Sequence, residues 1–234
     1  MYAFEILREL KKENEKRKNP NSLIVYLKNN PLPDLPEESK YFSYRVINGG
    51  GLWVITKLTP YLFRNPDNIK ILFSPSHYIP PILNLPRVCS IMDLGYLEFT
   101  GQFEKKVLWQ LKYWSAISIF VSKQVLTISE DSKRDIVRHY PFASNKVVVT
   151  RLGYDKDKFK SNISNKLLEL IKIKYSIVRN YILFVGTLKP SKNIGGLIDA
   201  YSLLVKSTDA KTQLPQLVIS GKKGWMYESI FKKV

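Results

Sequence analysis

Tyr181-Ile182-Leu183-Phe184-Val185-Gly186-Thr187-Leu188-Lys189-Pro190-Ser191-Lys192-Asn193 decides the fold class. Its first five residues are apolar without a break, which suits a strand buried on both faces of a parallel sheet. Gly186 to Asn193 reads as a loop, because Pro190 cannot serve a ladder and Gly186 allows a tight turn. Ile194, Leu197, Ile198, Tyr201 and Leu204 then recur at helical spacing. Gln216–Ser220 is the next strand, followed by Gly221-Lys222-Lys223-Gly224-Trp225. Strand, helix and strand make one βαβ unit, long enough for a right-handed crossover.

The chain before this unit alternates in the same way. A helix is expected over 2–18, with strands at Ser22–Leu27 and Phe42–Ile47 and a proline loop over 29–40 between them. A helix from Leu52 is expected to be disturbed at Pro60. Strands are expected at Ile69–Phe73, Arg87–Ile91, Val125–Ile128 and Lys146–Thr150. A long helix over 103–121 should bury the stripe Phe103, Val107, Leu111, Trp114, Ile117 and Val121, with Trp109, Tyr113 and Trp114 mostly in the core. Ser129 is placed as an N-cap, with Glu130 and Asp131 favourable to the helix dipole. A polar stretch from Lys156 to Asn165 precedes a further helix at about 166–175. The expected class is α/β with largely parallel strands, in two domains, 1–156 and 157–234.

The 234 residues carry a formal charge of +17, of which +9 falls after residue 156. Such a balance is either a solvated basic surface or a sign of an anionic partner: nucleic acid, anionic lipid or a phosphorylated ligand. The single cysteine, Cys89, excludes a disulfide framework and any multi-cysteine metal site. No apolar run reaches the roughly 18–20 residues that span a bilayer, and the first residues include acids where a signal peptide is apolar. No zinc-ligand spacing, nucleophile elbow or dinucleotide fingerprint is present, so hydrolase and dehydrogenase readings lack support.

In open α/β sheets, ligands bind outside the carboxyl ends of the strands. The 186–193 loop occupies that place, with a glycine, two lysines and the start of a helix, where a phosphate is favoured. Gly186 is then either a close-approach residue or a turn residue. Lys192 is either a diphosphate contact or solvated surface. In the first domain His77, Asp93 and Ser129 stand at strand ends. His77 reads as a loop-packing residue or a ligand group. Asp93 orients a sugar hydroxyl or caps its own turn, and Ser129 caps a helix or contacts a ligand. His139, at a helix end, complements the dipole.

Together these motifs resemble glycosyltransferase family 4. Tyr181–Asn193 is similar to the opening strand and loop of that family's donor domain, and Leu217–Trp225 to its next strand and turn. Leu126–Lys133 and Lys146–Asp155 resemble the end of its N-terminal domain. The resemblance implies a GT-B fold, two facing Rossmann-like domains, here with only the opening βαβ unit of the second. It implies transfer of a sugar from a nucleotide diphosphate sugar, with retention, to a glycan or lipid-linked acceptor. Bacterial mannosyltransferase-like enzymes of surface polysaccharide synthesis are of this kind. No cofactor and no bound metal are implied. Lys192 matches the lysine on the donor diphosphate and Gly186 the glycine whose backbone lies against it. Thr187 stands where many members carry arginine. Asp93 matches the aspartate of a His-Asp-Leu segment whose histidine is Met92 here. Relative to that pattern the chain is expected to be a fragment at both ends, the short form inactive. A cytoplasmic location follows from the resemblance, with contact to the anionic inner face of the membrane suggested by the basic charge. A nucleic-acid-binding module, a phosphorylase-type enzyme and an inactive chain are the competing classes. The first needs basic residues and exposed aromatics gathered on one face.

Overall fold

The computed structural model describes residues 2–209 and 212–233, which divide into two compact units, Met1–Leu152 and Gly153–Val234. The first opens with α1 (Tyr2–Glu15) and two parallel strands, β1 (Leu23–Leu27) and β2 (Phe42–Val46). The connection between them is the segment holding Pro31, Pro33 and Pro36, not a helix. A second parallel sheet has the order β3 (Leu72–Ser74), β4 (Arg87–Ser90), β5 (Gln124–Thr127), β6 (Val147–Val149). Successive strands are neighbours, so every connection crosses back over the sheet. Between β4 and β5 run α3 (Gly95–Glu98) and α4 (Lys105–Val121), and between β5 and β6 runs α5 (Glu130–His139). The loops after β3, β4 and β5 therefore leave one edge of the sheet. Beneath them Cys89, Ile119, Val125 and Ile136 are fully buried. Burial pushes the Cys89 thiol up, which leaves it a core side chain.

Two sequence expectations need refinement. Pro60 disturbs its helix as expected, but without ending it. Val54–Leu58 form a π turn that runs straight into α2 (Thr59–Arg64), and the widened pitch before Pro60 accommodates a residue that cannot donate. The hydroxyl of Thr59 donates to the Val54 carbonyl at 2.6 Å across this change of pitch. The second concerns α4. Its buried residues are Ser115, Ser118 and Ile119, while Val107 and Ile117 are each 41% exposed. Small side chains let α4 lie close to the sheet, and the Ser118 hydroxyl is satisfied by the His77 carbonyl at 2.5 Å. Closeness of approach, not side-chain size, set the inward face.

β1, β2 and α2 meet at a residue that the sequence did not single out. Asp67 accepts hydrogen bonds from Tyr26 Oη (3.0 Å), Tyr61 Oη (2.9 Å) and Arg45 Nη2 (2.9 Å). Burial alone raises the carboxyl's pKa; the donors of Tyr61, Arg45 and Tyr26 outweigh it and hold the group below the usual range. A carboxyl whose folded pKa lies below its unfolded value of about 4 stabilises the fold above that value and loses this as pH falls. Asp67→Ala is therefore expected to lower unfolding stability by about 2–4 kcal/mol at pH 7, because three donors lose their acceptor. The difference from the parent should shrink towards pH 3. Urea unfolding across that range checks it, and a constant difference would exclude the carboxylate as the cause.

The second unit is smaller. α6 (Asn165–Lys174) is capped by Ser164, whose Oγ accepts from Leu167 N at 3.3 Å. β7 (Tyr181–Val185) pairs in parallel with β8 (Gln216–Ser220) across α7 (Ile194–Ser207), and α8 (Glu228–Phe231) follows. Its core is Leu188, Ile194, Ile198 and Ile230. β7 is apolar enough for burial on both faces, but the described residues do not cover it. Ile182, Leu183 and Val185 are 43%, 51% and 71% exposed, and only Phe184 packs against that core. An apolar run specifies a strand but does not supply the layers that cover it.

Candidate functional site

The ladder between β7 and β8 continues beyond the strands into the loops that follow them. Gly186 N donates to Ser220 O, Leu188 N to Lys222 O and Gly224 N to Leu188 O, each at 3.0 Å. Alternate residues of a strand face the same neighbour. The N–H of Thr187, between two that face β8, therefore points the other way. It is this donor, rather than that of Gly186, that the loop turns outward. Two glycines make the approach possible. A Cβ on Gly221 would overlap the Gly186 carbonyl oxygen. A Cβ on Gly224 would lie 2.8 Å from Leu188 O and 2.9 Å from Thr187 Cγ2. The sequence shows Gly-Lys-Lys-Gly after a strand, and that spacing was the available sign.

From Leu188 the chain turns through Pro190–Lys192, closed by Lys192 N to Lys189 O at 3.0 Å and Asn193 N to Pro190 O at 2.9 Å. Asn193 enters α7 with φ of 47°, a left-handed conformation that asparagine tolerates better than most residues. Lys192 is exposed beside the start of that helix. Lys189 instead lies over the Trp225 ring, 4.7 Å from its centroid, and Lys223 lies 5.1 Å from that of Tyr227. A shallow cavity of about 200 Å³ adjoins the turn, lined by Lys189, Asn193, Gly195, Met226, Ser229 and Lys233. Helix N–H groups, an outward backbone donor and lysines in one loop can hold a phosphorylated group.

In the first unit, His77, Asp93 and Ser129 follow β3, β4 and β5, with side chains engaged in different ways. The His77 ring packs against Tyr78, with centroids 4.1 Å apart. Burial lowers its pKa, and its Nε2 is buried with no partner among the described residues. Tyr78 is held in turn by Gln110 and Trp114 of α4. Asp93 is exposed, and its Oδ1 accepts from Gly95 N at 2.9 Å, closing the turn into α3. Ser129 Oγ accepts from Ser132 N at 3.0 Å, the N-cap of α5. The loops of Asp93 and Ser129 are adjacent: Thr127 Oγ1 donates to the Met92 carbonyl at 3.5 Å. His77 sits one strand further along, turned beneath α4. His139, in the last turn of α5, is exposed.

No protein-family model matches the chain. It is 25% identical over 224 residues to the O-antigen chain mannosyltransferase B of Escherichia coli, which covers 95% of this chain and 53% of that protein. It is also 29% identical over 80 residues to two forms of the serotype-specific mannosyltransferase WbdA of Escherichia coli, covering 34% of this chain and 10% of theirs. The chain thus spans about half the length of mannosyltransferase B.

Proposed function

We propose that the protein is a glycosyltransferase that moves mannose from a nucleoside diphosphate sugar to a growing surface polysaccharide or its lipid-linked precursor. The observation that carries this reading is the similarity to O-antigen chain mannosyltransferase B over 95% of the chain. The parallel strands with ligand-accessible loops at their carboxyl ends support it. The donor diphosphate is assigned to the loop after β7, with the Thr187 N–H, the start of α7 and Lys192 as its contacts and Gly186 in the wall behind. The glycan acceptor is assigned to the loops that carry His77, Asp93 and Ser129. A two-domain GT-B arrangement, retention of configuration and membership of glycosyltransferase family 4 belong to the same proposal.

In this chemistry the protein positions the diphosphate and stabilises charge that grows on it as the sugar leaves. An ammonium near the bridging phosphates does both without a bound metal. Calorimetric titration with nucleoside diphosphates, one base at a time, is the direct test. A preference for one base, with competition by the corresponding nucleoside diphosphate mannose, is expected. Absence of binding to any of them, together with no transfer of labelled mannose to lipid-linked acceptor, would refute the proposal.

A further inference from the structure

The outer face of α4 has a composition unlike that of an ordinary surface helix. At 100° per residue, one arc of about 140° holds Lys105, Lys106 and Lys112. The same arc holds Trp109, Tyr113, Ile117 and Phe120, which are 63%, 48%, 41% and 71% exposed. The 17 residues of the helix contain no acid. Among the described residues none of the three lysines makes an ion pair. The apolar patch continues onto the next turn, where Phe142, 54% exposed, meets Phe120 with ring centroids 5.8 Å apart. Lys146 lies over the Phe142 ring and donates to the carbonyls of Phe120 and Ser122, adding a cation at the rim.

We infer that this face docks the protein onto an anionic lipid bilayer. Aromatic rings and aliphatic stems enter the headgroup boundary, while lysine heads remain among lipid phosphates. Exposed aromatics offset the cost of desolvating the face, and unpaired lysines supply the attraction to a negative surface. A convex helix offers no groove for an extended peptide. A single-stranded nucleic acid would need a channel that tracks its backbone beside the stacking rings. A planar anionic surface needs neither feature, which favours it as the partner. This surface rests on the proposed function only in that a lipid-linked acceptor is met at a membrane. Its test reads binding, without donor or transfer.

The test is sedimentation of the protein with vesicles of phosphatidylcholine alone or with phosphatidylglycerol added. The protein should pellet with the mixed vesicles at low salt and release as salt rises. Lys105→Gln/Lys106→Gln/Lys112→Gln should weaken partitioning about a hundredfold, at roughly fivefold for each lysine lost. Trp109→Ser/Phe120→Ser should reduce it at least tenfold, while the variant stays folded and unfolds cooperatively, because both side chains are largely exposed and lose only their ring contacts with Tyr113 and Phe142. Equal pelleting by the parent and these variants would overturn the inference. So would tight binding of a single-stranded oligonucleotide without vesicle binding. A dimer in sedimentation velocity that Trp109→Ser/Phe120→Ser dissolves, again without vesicle binding, would assign the face to a second copy instead.

Discussion

Gly221→Ala is expected to destabilise the second unit by about 3–5 kcal/mol and to remove ligand binding at its loops. A β-carbon there would overlap the carbonyl oxygen of Gly186 and stand 2.7 Å from its carbonyl carbon. Both atoms are backbone, so no side chain can rotate away. Relief requires β7 and β8 to part at their carboxyl ends. That breaks the bonds from Leu188 N to Lys222 O and from Gly224 N to Leu188 O. Two lost hydrogen bonds and the strain of separation account for the magnitude. Left-handed backbone is not the cause, since no described glycine has positive φ. Trp225 is the one tryptophan after residue 114, so the part of the fluorescence change that shifts with Gly221→Ala reports this unit, Trp53, Trp109 and Trp114 lying in the first. Gly153→Ala is the control: a β-carbon there meets nothing within 4 Å and should change stability by less than about 0.5 kcal/mol. Equal midpoints for the two variants would show that the loops do not pack as described.

The features legible in the sequence were those carried by neighbours in the chain. The five-residue run at Tyr181–Val185, the helix stripe after it and the N-cap at Ser129 all depend on residues within a few positions. Asp67 was not legible, because its donors Tyr26 and Arg45 lie 41 and 22 residues away on separate strands. Nor was the depth to which an element is buried. On β7, apolar composition suggested cover that the described residues do not provide. On α4, counting large apolar residues found Phe103, Leu111 and Val121, which pack against the core, but included the exposed Val107 and Ile117 and missed Ser115 and Ser118, which are buried. That error concealed the exposed aromatics. The charge of +17 asked for an anionic partner, but only the structure shows lysines beside the exposed Trp109 and Phe120 that make no ion pair among the described residues. At the loop after β7, the sequence placed Lys192 and the helix start correctly relative to each other. Which backbone N–H faces outward depended on the register with β8, which local spacing does not encode.

Lys192→Ala is expected to weaken nucleoside diphosphate binding by about 10- to 150-fold and leave stability within about 0.5 kcal/mol of the parent. The separation of the two effects follows from geometry. The turn Pro190–Lys192 is closed by main-chain bonds, and the Lys192 side chain is exposed. Nothing in the fold therefore depends on its ammonium, and exposed substitutions of this kind are nearly neutral. A charge-assisted contact with phosphate is worth about 1.5–3 kcal/mol, which sets the loss of affinity. The proposal also specifies how the loss should vary. Raising salt should weaken the parent more than Lys192→Ala, because the missing cation no longer contributes a screened term. Lys192→Arg should retain charge but recover only part of the affinity, since a planar fork does not reproduce a point contact. Lys189→Ala should behave in the opposite sense. Its ammonium already lies over Trp225, so its removal should cost about 0.5–1 kcal/mol of stability with a smaller effect on the ligand. Titration calorimetry and urea unfolding of the three variants separate these outcomes. If Lys189→Ala and Lys192→Ala weaken binding equally, the loop acts only through its general positive charge. If neither does, the diphosphate is not held after β7.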